Sequence, residues 1–316
     1  MPFEVRTLAE WEAAGVPGML SVVIPAHNEE GHITETVRGL ADALRAAGIS
    51  YEMLVVNDNS SDATERILAS LTTAEIGLRY VNNPTPNGFG LAVRRGLAEF
   101  RGDAVAIVMA DGSDDPADLV AFYRKLEDGY DCVFGSRFIK GSKVNHYPKL
   151  KLVVNRIVNH CIQIMFWTRF NDLTNAFKAY RTEVIRECGP YHASHFNITL
   201  ELSLGALVRK YNIVQVPISW SGRTWGSSNL RIGEMGRRYL STLLMMFFAR
   251  YLIADDMIAE RLASRNRRSR YFDDLDRRVK AIERHLGIAA EPVIRADPIS
   301  RLSEPADASQ WGDAQG

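Results

Sequence analysis

Between Ala104 and Pro116 an apolar run, AVAIVMA, breaks into DGSDDP, so that Asp111, Asp114 and Asp115 share one short loop. Carboxylates crowded in this way repel one another unless a cation or a donor-rich ligand joins them. Hard oxygen donors at this spacing suit magnesium or manganese held jointly with substrate phosphates. Asp, Gly, Ser and Pro also make ordinary solvated turns, so on this loop alone both readings stand. Two further polar clusters follow apolar runs: Pro25, His27, Asn28 and Glu29 after LSVVI, and Asn57 to Asp62 after YEMLVV. Asp62, just ahead of the next helical stretch, suits a helix cap, which leaves Asp58 for a ligand. The turn Asn87, Gly88, Phe89, Gly90 leads into another helix and is a candidate phosphate cradle. Val93 stands where a dinucleotide fingerprint has its third glycine, which argues against a dehydrogenase.

The elements that must position these loops are short β-rich runs alternating with helical periodicity, the signature of βαβ units around a parallel sheet. The alternation predicts strands in MLSVVIPA, YEMLVVNDNS, LRYVNNP, Val105–Met109 and Asp131–Gly135, with helices between them. Loops released at the carboxyl ends of neighbouring parallel strands converge where open α/β sheets bind ligands. Beyond residue 135 come a helical run, KLKLVVNRIVNHCIQIMFW, a short strand in FKAYR, a helix around Ile198 to Arg209, and strand character from Ile213 to Trp220. Residues 1–18 read as an extension, 19–232 as the α/β domain, 233–254 as an apolar helix, 255–288 as a charged helix and 289–316 as a flexible tail. The apolar helix offers only about sixteen residues between Arg238 and Asp255, short of the roughly 20 that span a bilayer. Its flanking arginines suit a helix lying in the membrane interface, while a buried or dimer-forming helix is the alternative.

Composition narrows the classes. The 316 residues carry 38 basic and 38 acidic side chains, and a formal net charge of zero argues against a dedicated nucleic-acid partner. Three scattered cysteines, Cys132, Cys161 and Cys188, suggest neither a disulfide framework nor a zinc site. The amino-terminal residues lack the basic start and apolar stretch of a signal peptide, so the expected location is cytoplasmic, peripheral at the inner face of the membrane.

The stretches VVIPAHNEE, VVNDNSSDAT, NGFGLAVRRG, VMADGSDDP, FGSRFIKG, NDLTNAFKAYR and RTWGSSNLRI occur in this order. Together they resemble the GT-A family 2 glycosyltransferases, and within them the polyprenyl-phosphate sugar transferases similar to dolichol-phosphate mannose synthase. The resemblance implies a GT-A fold, a mostly parallel Rossmann-like sheet flanked by helices. It also implies a nucleotide-diphosphate sugar donor, magnesium or manganese on the acidic loop, and a polyprenyl-phosphate acceptor at a membrane surface. By the same resemblance Pro25, His27, Glu29, Asp58 and Gly88 line the donor site, and Arg137, Arg223 and Ser227 face the diphosphate. Asp172, Thr174 and Asn175 fall in the acceptor loop, and Asp111, Arg137 and Arg223 are the residues of the reaction.

The chain departs from the family pattern at named positions. His27 replaces a tyrosine, Asn57 the first of two adjacent acids, Asn175 and Ala176 a Ser-Gly pair, and Asn229 a lysine. Ala110, Asp111 and Gly112 stand where an Asp-Xaa-Asp is usual, and by the resemblance Asp111 with Asp114, at the position of a family glutamine, is the favoured metal-binding pair. The expected function is metal-dependent, inverting sugar transfer onto polyprenyl phosphate. Transfer onto a glycan hydroxyl, with Asp115 or Glu201 as base, and a silent nucleotide-sugar-binding protein are the alternatives. The charged helix offers a surface for homo-oligomers.

Overall fold

The computed structural model describes residues 18–75, 77–222 and 232–252, with residues 256 and 258. Seven strands form the main sheet: β1 (Leu20–Ala26), β2 (Tyr51–Asn57), β3 (Leu78–Asn82), β4 (Ala104–Ile107), β5 (Cys132–Ser136), β7 (Lys178–Arg181) and β8 (Ile213–Pro217). Their order is β3-β2-β1-β4-β7-β5-β8. All neighbours are parallel except β7, which runs antiparallel to both β4 and β5. The order reverses between β1 and β4, so the crevice above those two strands is the switch point where such sheets take ligands.

Strand side chains alternate between two cores, as a period of two requires. Val22 and Ile24 point to one face with Val37, Leu40, Leu119 and Phe122 from α1 (Ile33–Ala46) and α4 (Pro116–Glu127). Val23 points to the other, with Ala92 and Val93 of α3 (Phe89–Glu99), Ile162 and Phe166 of α5 (Lys149–Phe166), and α7 (Ile198–Val208). Both faces of β1 are thereby closed, which explains its unbroken apolar run. Helix α7 is buried on nearly every side because it lies inside the second core, covered by α8 (Ile232–Leu252). Two short helices, α2 (Thr64–Ala74) and α6 (Thr182–Cys188), complete the layers.

The structure differs from the sequence expectation in one region. The run from Ile213 to Trp220 is not one strand: it divides after Pro217, and β9 (Ser219–Ser221) pairs in parallel with β6 (Lys143–Asn145) as a separate ribbon. Pro217 is the last residue of β8 in register with β5, and beyond it Ile218 links the sheet to the ribbon, its N–H donating to the Ser136 carbonyl and its carbonyl accepting from the Lys143 N–H. Helix α8 covers the apolar segment expected over 233–254. Apart from residues 18, 256 and 258, the extension, charged helix and tail lie outside the described residues.

Candidate functional site

The acidic loop is shaped by its own side chains. The Met109 N–H donates to Asp114 Oδ2 at 3.0 Å, and the Ser113 N–H to Asp111 Oδ1 at 3.1 Å. Thr36 Oγ1 holds the carbonyl of Ala110 from α1 at 3.0 Å, and Gly112 supplies the left-handed turn with φ of 68°. Asp115 caps α4, accepting from the Ala117 N–H, with Pro116 in the first turn. That division of labour separates Asp115 from the two remaining acids. Asp111 and Asp114 are both buried, and burial pushes the Asp114 carboxyl up to about 7. The Asp111 charge adds to this rise, while the Met109 N–H and the Arg137 guanidinium oppose it. Two buried carboxylates within electrostatic reach of one another fit a divalent cation that shares its remaining ligands with phosphates. Among the described residues no group of three or more His, Cys, Asp or Glu side chains could hold a metal alone.

At the carboxyl end of β5, Arg137 forms a two-pronged pair with Asp172. Nε donates to Oδ2 at 2.8 Å and Nη2 to Oδ1 at 2.7 Å, and the Arg137 backbone N–H adds a third bond at 3.0 Å. The two side chains are 8% and 0% exposed. Burial works against the Arg137 charge, but the Asp172 carboxylate outweighs it and raises the guanidinium above its ordinary value. The guanidinium carbon lies 5.4 Å from the ring centres of both Phe138 and Tyr147. Behind the pair, the fully buried Lys178 of β7 donates to the Leu173 carbonyl at 2.7 Å and to Ser203 Oγ at 2.6 Å. Burial depresses its ammonium to about 7.

The segment after β8 is stitched to the acidic loop. Trp220 makes a β-bridge with Asp114, and the Ser221 N–H donates to the Ser113 carbonyl at 3.1 Å. The Ser219 N–H donates to Asp118 at 2.6 Å, and the Trp220 ring lies 5.0 Å from Tyr147. Residues leading to Gly222 therefore sit against the two acids. Arg223, Gly226, Ser227, Ser228 and Asn229, expected over the diphosphate, lie outside the described residues.

At the ends of β1 and β2, the exposed His27 ring is held by Nδ1 at 2.7 Å from the Asp58 carbonyl. Pro25 is buried in β1, and Glu29 is buried at its end, its N–H donating to Thr64 Oγ1. Asp62 serves the start of α2 as expected, accepting from the Thr64 N–H.

Several expected roles change on geometric grounds. Asp58 is buried and both its oxygens are engaged: Oδ1 accepts from Asn83 Nδ2 at 2.8 Å and Oδ2 from the Gly88 N–H at 2.7 Å. These two bonds brace the turn and leave each oxygen a further lone pair. Gly88 and Gly90 form no open phosphate cradle. The Gly90 and Leu91 N–H groups donate to the Ser194 carbonyl, and a Cβ on either glycine would lie 2.5 to 2.6 Å from backbone atoms of residues 193–194. Close backbone approach is the reason for those glycines. In the acceptor loop Asp172 is sealed against Arg137, Thr174 Oγ1 accepts from Asn155 and Asn159 of α5, and Asn175 Nδ2 donates to the Gly135 carbonyl. These side chains hold the loop's shape. Glu201 accepts from the His192 and Ala193 N–H groups at 2.8 Å each, so it anchors backbone.

Sequence reasoning missed Lys178, Tyr147 and Trp220. The signal for Lys178 was a cation set directly between the apolar Phe177 and Ala179 at the start of a short strand. Tyr147 and Trp220 carried none, because the small ribbon that brings them together joins segments far apart in the chain.

A mostly parallel sheet with helices on both faces, and polar loops gathered at its carboxyl edge beside two acids and a clamped arginine, defines an α/β protein of GT-A type. The chain belongs to glycosyl transferase family 2, whose profile matches residues 21–189. It is similar to a dolichol-phosphate mannosyltransferase of Pyrococcus furiosus, 28% identical over 216 residues, which are 67% of this chain and 59% of that protein. It is also similar to a polyprenol monophosphomannose synthase of Mycolicibacterium smegmatis, 27% identical over 215 residues, 66% of this chain and 80% of that one. The chain thus spans less than two thirds of the length of the first relative. Among solved structures, glucosyl-3-phosphoglycerate synthase from Mycobacterium tuberculosis, in complex with Mn2+, uridine diphosphate and phosphoglyceric acid, superposes with a TM-score of 0.57. That match covers 78% of this chain and 84% of the other at 23% identity, a likeness of fold.

Proposed function

We propose that this chain moves a sugar, with inversion, from a nucleotide-diphosphate sugar to a polyprenyl phosphate, using magnesium or manganese held by Asp111 and Asp114. The observation that carries the reading is the meeting of those two buried acids with the fixed guanidinium of Arg137 at the carboxyl edge of the sheet. The relatives named for dolichol phosphate and polyprenol support the acceptor, and the neighbour bound to Mn2+ and uridine diphosphate supports the cation and donor class.

A phosphate monoester is already largely ionised near neutral pH, so the attacking oxygen needs no general base. The protein's task is placement and charge stabilisation. When bound, the cation neutralises charge on the departing nucleotide diphosphate. Arg137 contributes a positive charge that cannot swing away, because Asp172 grips two of its nitrogens. His27 offers an exposed ring to the base, and the half-buried rings of Tyr147 and Trp220, in contact with one another, stand beside Arg137 and the acidic loop. Arg223 and Ser227, outside the described residues, are proposed as further diphosphate contacts on the strength of the family resemblance. Transfer to a glycan hydroxyl would demand a base. The acids proposed for that role are committed elsewhere, Asp115 to capping α4 and Glu201 to two backbone amides.

The test is incubation with a panel of nucleotide sugars, polyprenyl phosphate and Mg2+ or Mn2+, with the lipid product identified by mass spectrometry. A sugar-phosphate-linked lipid is expected. A product carrying sugar on a hydroxyl, or no metal-dependent turnover with any donor, would refute the reading.

A further inference from the structure

Between the first turn of α7 and the amino-terminal half of α8 lies a cavity of about 490 Å³ that the reaction described above does not use. Its wall carries two guanidinium groups, Arg237 and Arg238, with the hydroxyls of Ser241 and Thr242. Arg94 of α3 brings a third cation to the same wall, its Nη1 donating to the His192 carbonyl at 3.5 Å. Glu201 is the acid among the lining residues. Its oxygens accept from the His192 and Ala193 N–H groups, which draws part of its charge into the backbone and braces the wall. Asn197, at the start of α7, is 8% exposed, and its side chain is only half used. Nδ2 donates to Thr242 Oγ1 at 3.0 Å, while the buried Oδ1 has no hydrogen-bond partner among the described residues. Turning the amide over would let Oδ1 accept from the Thr242 hydroxyl and would leave Nδ2 unspent in its stead. In either orientation the wall keeps a buried polar atom to offer, and such atoms are normally satisfied.

We infer that this cavity binds a phosphate monoester, with Arg237 and Arg238 as its cations and Asn197, Ser241 and Thr242 as its hydrogen-bonding groups. A monoester carries nearly two negative charges near neutral pH and three acceptor oxygens, which two guanidinium forks and neighbouring hydroxyls match. A single carboxylate would leave part of this donor set idle. The wall is also joined to both halves of the candidate site. The Ser194 carbonyl accepts from the Gly90 and Leu91 N–H groups of the Gly88 turn, and Tyr239, next to Arg238, donates to the Phe196 carbonyl at 3.4 Å. Burial pushes the Tyr239 phenol up to about 12 and the Arg137 guanidinium opposes that rise, so the start of α8 lies within electrostatic reach of the clamped arginine. The same chemistry belongs to the lipid phosphate of the proposed reaction and to a free phosphorylated molecule, and the site does not rest on that reaction.

The test is calorimetric titration of the full chain, without metal or nucleotide sugar, using inorganic phosphate, glycerol 3-phosphate and geranyl phosphate, a short prenyl monoester. Saturable one-to-one binding of at least one monoester is expected. Arg237 and Ser241 are exposed, so their replacement leaves the fold intact, which circular dichroism would verify. Arg237→Gln is expected to weaken binding about tenfold, and Ser241→Asp by at least as much through repulsion. Lys149→Gln removes a cation from α5, outside the cavity lining, and should change nothing. Tighter binding of geranyl phosphate than of glycerol 3-phosphate would assign the site to a lipid-linked phosphate and the reverse to a free one, and both outcomes support it. No saturable binding, binding unchanged in the two cavity variants, or an equal loss in Lys149→Gln would overturn the inference. Sugar transfer by a chain that binds none of the three probes sinks the site alone, and binding without transfer sinks the proposed reaction alone.

Discussion

Asp114 is held where a carboxylate is costly, and its cost links proton to metal. With its folded-state value raised to about 7 by burial, the folded chain keeps a proton there that the unfolded chain releases near 4. Between those values folding stability falls as pH rises, because the folded state binds more protons than the unfolded one. A cation must displace that proton. Mn2+ affinity measured by calorimetry is therefore expected to rise about tenfold per pH unit up to about 7, and to level off above it. Asp114→Asn should weaken binding and flatten the profile. An unchanged slope in that variant would mean that another group carries the proton. Arg137 and Asp172 give a second expectation at this scale. Removing one partner of a buried pair strands the other charge, which typically costs about 3–5 kcal/mol. Asp172→Asn is expected to lower stability in urea unfolding by that order. A loss below about 1 kcal/mol would show that Asp172 does not hold the guanidinium.

At the scale of elements, glycines separate close packing from mere permissiveness. A Cβ at Gly90 would lie 2.6 Å from the Ala193 oxygen and the Ser194 carbon, both backbone atoms that cannot step aside cheaply. One at Gly236, in α8, would meet nothing within 4 Å. Gly90→Ala is accordingly expected to destabilise by about 1–3 kcal/mol, and Gly236→Ala to stabilise by up to about 1 kcal/mol. Thermal unfolding of the two variants should shift in opposite directions, and a shared sign would refute the packing argument. The same contrast shows what was legible in the sequence. The strand ends at Ala26 and Asn57 were visible because an apolar run stopping at polar residues is a local signal, whereas β4 ends at Ile107, short of the expected Met109, while the sequence stays apolar to Ala110. The purpose of Gly88 and Gly90 was not, since it depends on residues 193–194, about a hundred positions away. Asp58 and Asp172 likewise read as ligand-facing acids from their neighbours in the chain. Their partners, Gly88 with Asn83 and Arg137, come only with the fold.

For the molecule as a whole, the reversal of strand order between β1 and β4 divides the candidate site into two halves. One half is built by the ends of β1, β2 and β3, where His27, Asp58 and the Gly88 turn are tied to one another. The other is built by β4, β5, β7 and the small ribbon, where the acids, Arg137, Tyr147 and Trp220 meet. The acidic loop is bonded within itself, to Thr36 of α1 and to residues 219–221, so a ligand spanning the crevice would bridge it to the loops after β1 and β2. A nucleotide diphosphate has its base at one end and its phosphates at the other, and only the phosphates need the cation. Hydrogen exchange with nucleotide diphosphate alone is therefore expected to slow amides in the loops at 27–30 and 58–62. Adding Mn2+ should extend that slowing to 109–116 and 219–222. Asp111→Asn should keep the first response and lose the second. If the metal changes nothing beyond what the nucleotide does alone, or if both halves respond together without it, the cation does not sit at the acidic loop and the division of the site is wrong.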